Sequence, residues 1–102
     1  MNWKKKVLDL VEDKRGYHTT KINNFIFTEN KDLSINYTST AMGYKDFYIR
    51  KTFFDKSLKK LNWKIENYYQ ALYYVLEMVV YCFNTSIILD KKIIDGNKLE
   101  LE

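Results

Sequence analysis

Apolar residues recur at helical spacing most strongly between Ile65 and Phe83. Ile65, Tyr69, Leu72, Leu76, Val79 and Phe83 fall on one stripe and predict a helix over that span. The opposite face is not charged in the usual way. It carries Tyr73, Tyr74, Met78 and Tyr81, with Glu66, Gln70 and Glu77 as its polar members. A helix apolar nearly all round is either buried on two sides or shows an aromatic surface to a partner.

The remaining pattern is shorter in range. Trp3, Val7, Leu10 and Val11 share one face of a helix expected over Trp3 to Lys14, with Lys4, Lys5, Asp9 and Glu12 turned away. Asn2 can cap its start, and Gly16 is placed to stop it in the left-handed position after a Lys-Arg last turn. Three strands follow, at about Ile22 to Thr28, Leu33 to Ser39 and Asp46 to Phe54. In the second, Leu33, Ile35 and Tyr37 alternate with Ser34, Asn36 and Thr38. In the third, Phe47, Ile49 and Phe53 alternate with Tyr48, Arg50 and Thr52. Asn30-Lys31-Asp32 and the Ala41 to Tyr44 connection, pivoting on Gly43, make an antiparallel meander. One of its faces is covered by helices and the other meets water. Asp55 caps a helical turn holding Leu58 and Leu61, and Asn62 leads into the long helix, which ends at Asn84-Thr85-Ser86. Ile87-Ile88-Leu89 reads as a fourth, short strand, which Ile93-Ile94 extends or pairs with.

The expectation is an α+β domain over residues 1–100 in the order α-β-β-β-α. A three-stranded antiparallel meander, with a short C-terminal strand, packs against an N-terminal helix and a long aromatic-rich helix. Leu101-Glu102 reads as a cloning remnant. The element order is similar to that of double-stranded RNA-binding domains and of the three-strand-plus-helix DNA-binding modules of some integrases. The basic stretch Lys56 to Leu61 lacks the small residues and spacing of the RNA-binding signature.

Composition alters this picture only at a few points. Six Phe, nine Tyr and two Trp in 102 residues supply ample apolar area for a core without staples. Cys82, the single cysteine, is expected as a packed small hydrophobe. One thiol fits a reducing compartment, so a cytoplasmic location is expected. The basic start at Met1 to Lys6 lacks a following apolar region, and the longest apolar run, Met78 to Phe83, is far short of the ~20 residues of a membrane span. The net charge of +4 rests on fifteen Lys and only two Arg. Abundant Lys, Asn, Ile, Tyr and Phe with no Pro follow AT-rich codons, which points to a bacterial or phage source. Scarce Arg, the usual bidentate reader of phosphate and guanine, weakens a nucleic-acid role.

No catalytic or phosphate-binding motif is present, and no metal, cofactor or small-molecule ligand is indicated. His18, expected in the loop Gly16 to Thr20, could be the general base of a small metal-free ribonuclease, with Arg50, Tyr48 or a lysine stabilising phosphate. Lys56, Lys59, Lys60 and Lys64 before the long helix could hold an anion. Asn36, Thr38, Tyr48, Arg50 and Thr52 could form a polar platform with one stacking aromatic. The tyrosine face of the long helix is the strongest feature: Tyr73, Tyr74, Met78 and Tyr81, rimmed by Gln70 and Glu77, suit a protein interface. The expected role is therefore non-catalytic binding of another protein, or self-association, by a small regulatory, immunity or phage inhibitor type of protein. Nucleic-acid binding through the lysine turn and sheet face is the alternative.

Overall fold

The computed structural model describes residues 2–14, 16–28, 32–43, 45–52 and 65–96. Helix α1 (Trp3–Glu12) precedes strands β1 (His18–Phe27), β2 (Asp32–Ser39) and β3 (Asp46–Thr52). Helix α2 (Ile65–Phe83), strand β4 (Thr85–Leu89) and the one-turn helix α3 (Lys91–Ile94) follow. The fold is α+β, with a four-stranded sheet in the order β3-β2-β1-β4. β1, β2 and β3 form the antiparallel meander. β4 is the fourth strand and lies parallel to β1, so the sheet is mixed.

The core lies between the sheet and the two longer helices. Leu33, Ile35 and Tyr37 of β2 are buried, as the alternation requires, in one core with Tyr69, Leu72, Leu76 and Val79 of α2. Phe25 meets the edge of the Tyr68 ring at 5.2 Å between centroids. α1 caps its start through Asn2 Oδ1, which accepts from the Lys5 N–H at 3.0 Å. It buries Val7 and packs chiefly on α2. Gly43 takes φ 79° as the pivot after a 3₁₀ turn at Thr40–Met42. Asn84 takes φ 46° beyond the end of α2, a conformation asparagine tolerates better than most residues.

β1 departs from the sequence pattern. Its pairing with β2 steps from Ile22↔Tyr37 to Asn24↔Asn36, leaving Asn23 as an extra residue. The bulge lets Ile22 and Phe25, three positions apart, both face the core. The strand also begins four residues earlier than expected. His18 is its first residue and not part of a loop, because β4 pairs with it from His18↔Thr85 onward. Buried Thr20 fits there because its hydroxyl shares a 3.0 Å hydrogen bond with that of Thr85. Thr85 in turn donates to the His18 carbonyl at 2.8 Å.

Four smaller expectations are corrected. α1 stops at Glu12 and not Lys14, with Asp13 as an extended C-cap. Gly16 is not left-handed. It is required by close approach: a Cβ there would lie 2.4 Å from the Thr85 carbonyl carbon. Cys82 is exposed, because it sits off the core stripe on the side of Met78. Ile93-Ile94 neither extends nor pairs with β4. Asp90 Oδ1 accepts from the Lys92 N–H at 2.8 Å and turns the chain into α3. Phe53, Phe54, the Asp55 turn with Leu58 and Leu61, Asn62 and Leu101-Glu102 lie outside the described residues.

Candidate functional site

The outward face of α2 is divided by α1. Trp3 sits over Tyr73 and Tyr74, with ring centroids 5.6 and 5.5 Å away. Lys6 places its ammonium 4.8 Å from the Trp3 ring and 5.3 Å from that of Tyr73, a shared cation–π contact. Tyr73 is therefore half-covered within the molecule. Its hydroxyl is held above the ordinary phenol pKa, first by its hydrogen bond to Glu77 and then by burial. Gln70 is also half-buried.

Beyond the reach of Trp3 the face opens. Tyr74 is 42 % exposed, Met78 46 % and Tyr81 89 %. Their spacing of four and then three residues sets them in one row along the helix, beside exposed Glu77. α2 lies chiefly over β1 and β4 and α1. An apolar groove lies where the edge of α2 meets the helix side of β2 and β3. Tyr74, Met78 and Val79 form one wall; Leu33, Ile35 and Ile49 form the other. Ile49 belongs to this surface although the sequence pattern marked it only as an inward strand residue.

The opposite face of the sheet is polar. Register aligns Asn36 with Tyr48, Ser34 with Arg50 and Thr38 with Asp46. Asn36, Thr38, Tyr48 and Arg50 thus share one surface, as their alternation implies; Thr52 continues the strand, its side chain outside the described residues. Asn23 Nδ2 donates to Asn36 Oδ1 at 3.2 Å and to Thr38 Oγ1 at 2.8 Å. Thr38 donates to Asp46 Oδ1 at 3.0 Å. Exposed Lys21 stands over a shallow hollow with Asn23, Thr38 and Ile88. Tyr48, 65 % exposed, is the one aromatic ring of this face among the described residues. Lys56, Lys59, Lys60 and Lys64 lie outside the described residues.

His18 is not brought to Arg50 or Tyr48. Arg50 is level with Ser34, and Ser34 with Ile26, eight residues along β1 from His18. At a rise of ~3.3 Å per residue this puts Arg50 up to roughly 26 Å from His18 along the strands, less what the bulge takes up, and Tyr48, level with Asn24, up to roughly 20 Å. Among the described residues no three His, Cys, Asp or Glu side chains cluster as metal ligands. Nor is any described helix long and apolar enough to cross a membrane. No family model, curated protein or solved structure matches the chain.

Proposed function

We propose that the chain is a non-catalytic binding protein that acts by protein–protein contact through the open part of α2. The observation that carries this is the exposed row Tyr74, Met78 and Tyr81 running beside an apolar groove. Tyrosine and methionine cover interface area at low entropic cost and adapt to a partner's shape. A helix with such a row against a groove suits a partner helix or an extended segment laid along it. A small regulatory, immunity or inhibitor type of protein of the bacterial or phage cytoplasm fits this role. Charge substitutions test it. Tyr81→Glu and Tyr74→Glu should each abolish capture of a partner from source lysate, with and without nuclease, while circular dichroism and Tm stay near those of the parent. Unfolding of both variants, or unchanged capture, sinks the reading.

The open sheet face supports a second role, nucleic-acid binding, because Lys21 joins Tyr48 and Arg50 on one surface. Its affinity should fall steeply with salt. Lys21→Gln with Arg50→Gln should flatten that slope, and salt-insensitive or absent binding to DNA and RNA removes this role.

A further inference from the structure

Helix α1 is charged against its own dipole. Its first turn carries Lys4, Lys5 and Lys6 and no acid, and its last turn carries Asp9 and Glu12 and no base. Each of these charges opposes the partial charge of the helix end beside it. Lys5 and Asp9, four residues apart, stand with the cation first, the weaker order for such a pair. The Asn2 cap works in the other direction. A helix of ten residues does not hold in water on such terms, so α1 depends on what it packs against.

That packing is shallow. Val7 is the one residue of α1 that is fully buried, whereas α2 buries Tyr68, Ala71, Leu72 and Leu76 completely. α1 lies chiefly on α2 and touches β4 less. The contact near its start consists of rings and ammonium groups: Trp3 on Tyr73 and Tyr74, Lys6 on Trp3 and Tyr73, and Lys4 5.7 Å from the Tyr69 ring. Among the described residues no backbone hydrogen bond joins α1 to α2 or to the sheet. At its other end the chain is extended from Asp13, and Gly16 is pinned against the Thr85 backbone. Movement of α1 therefore stops at Gly16 and spares the pairing of β1 with β4.

We propose that α1 is a detachable cover on the binding face of α2. It undocks as a unit about the chain between Asp13 and Gly16, while the sheet and α2 stay folded. Local openings draw on elements with few buried contacts, and α1 is such an element. Release of Trp3 joins Tyr73 to the open row of Tyr74, Met78 and Tyr81, so the face of the closed form is the smaller of two. This use of the opening rests on α2 being the binding surface, whereas the opening itself is a property of the free chain.

Native-state hydrogen exchange on the free protein tests it, under conditions where exchange follows the opening equilibrium. Amides of Val7 to Glu12, corrected for intrinsic rates, should exchange about tenfold or more faster than those of β2, which is paired on both sides. Ile35→Val weakens the buried core under β2. It should speed the β2 amides about three- to tenfold and leave those of α1 unchanged, because α1 opens without the sheet. Glu12→Lys puts a cation at the end of α1, beside Asp9 and Asp13, and should slow α1 exchange about threefold or more. Tyr81→Glu should leave α1 exchange as it is even where partner capture is lost, which reads the cover and the binding role apart. Amides of α1 as protected as those of β2 overturn the proposal. So does Ile35→Val speeding both sets alike, α1 exchange that ignores Glu12→Lys, or α1 exchange that changes with Tyr81→Glu.

Discussion

Tyr68 and Tyr69 come from the same helix as Tyr74 and Tyr81, but the two pairs do opposite things. The first pair is buried. Tyr68 donates its hydroxyl to the Ile93 carbonyl at 3.1 Å, and Tyr69 donates to that of Ile94 at 2.5 Å. The last carbonyls of a helix lack partners within it, so α3 offers two acceptors where α2 brings two donors. Nothing comparable meets Tyr74 and Tyr81 among the described residues; Trp3 reaches only the nearer of them. The fate of a tyrosine here is set by the element facing it, and not by its position in an apolar helix.

The contrast is sharpest in stability. Tyr68→Ala removes a fully buried ring and should cost about 3–5 kcal/mol in urea unfolding. A cost below ~1 kcal/mol there would erase the distinction between the two pairs. Gly16→Ala extends the question to the close contact with Thr85, at the start of β4. Its new Cβ meets backbone that cannot swing aside, so a loss of about 1–3 kcal/mol is expected by the same measurement.

Alkaline pH separates the tyrosines chemically. Burial, then the neighbouring Tyr69, holds the Tyr68 hydroxyl well above its ordinary pKa of 10.0. Burial, then Asp95, raises that of Tyr69. The folded state keeps protons that the unfolded state has released, so stability is whole below pH ~10 and falls above it. Tyr68 contributes a slope of about 1.4 kcal/mol per pH unit. Urea unfolding between pH 9 and 11 should show this fall, and Tyr68→Phe should flatten it. The smallest effect belongs to Tyr81→Ala, which should change stability by less than ~0.5 kcal/mol by the same unfolding measurement. A larger loss would make Tyr81 part of the core after all.

Much of the fold was legible where local pattern and tertiary role agree. The alternation in β2, the span of α2, the Asn2 cap and the Gly43 pivot all follow from neighbours in sequence. What escaped depends on residues far apart. Thr20 looks like a loop residue until Thr85 is set beside it, 65 positions on. The bulge at Asn23 breaks the period of two, so β1 could not be traced to its true start. Gly16 has the look of a helix stop, whereas its smallness serves the approach of Thr85. Asp90 decides that Ile93-Ile94 coils, which outweighs the β-propensity of two isoleucines. At the candidate site, the open row on α2 was visible as residue spacing. The groove wall at Ile49 and the cover by Trp3 were not, because both need the tertiary arrangement.

The parallel pairing of β1 with β4 also sets an order of events during synthesis. Thr85 leaves the ribosome 67 residues after His18, the residue whose carbonyl it binds. At ~5–20 residues per second, that is a wait of roughly 3–13 s. The meander can close within that interval, yet the inner strand of the finished sheet still offers an unpaired flank to neighbouring nascent chains. A chaperone that shields extended segments would have its greatest effect in that window, and slower translation of the α2 codons should increase aggregation.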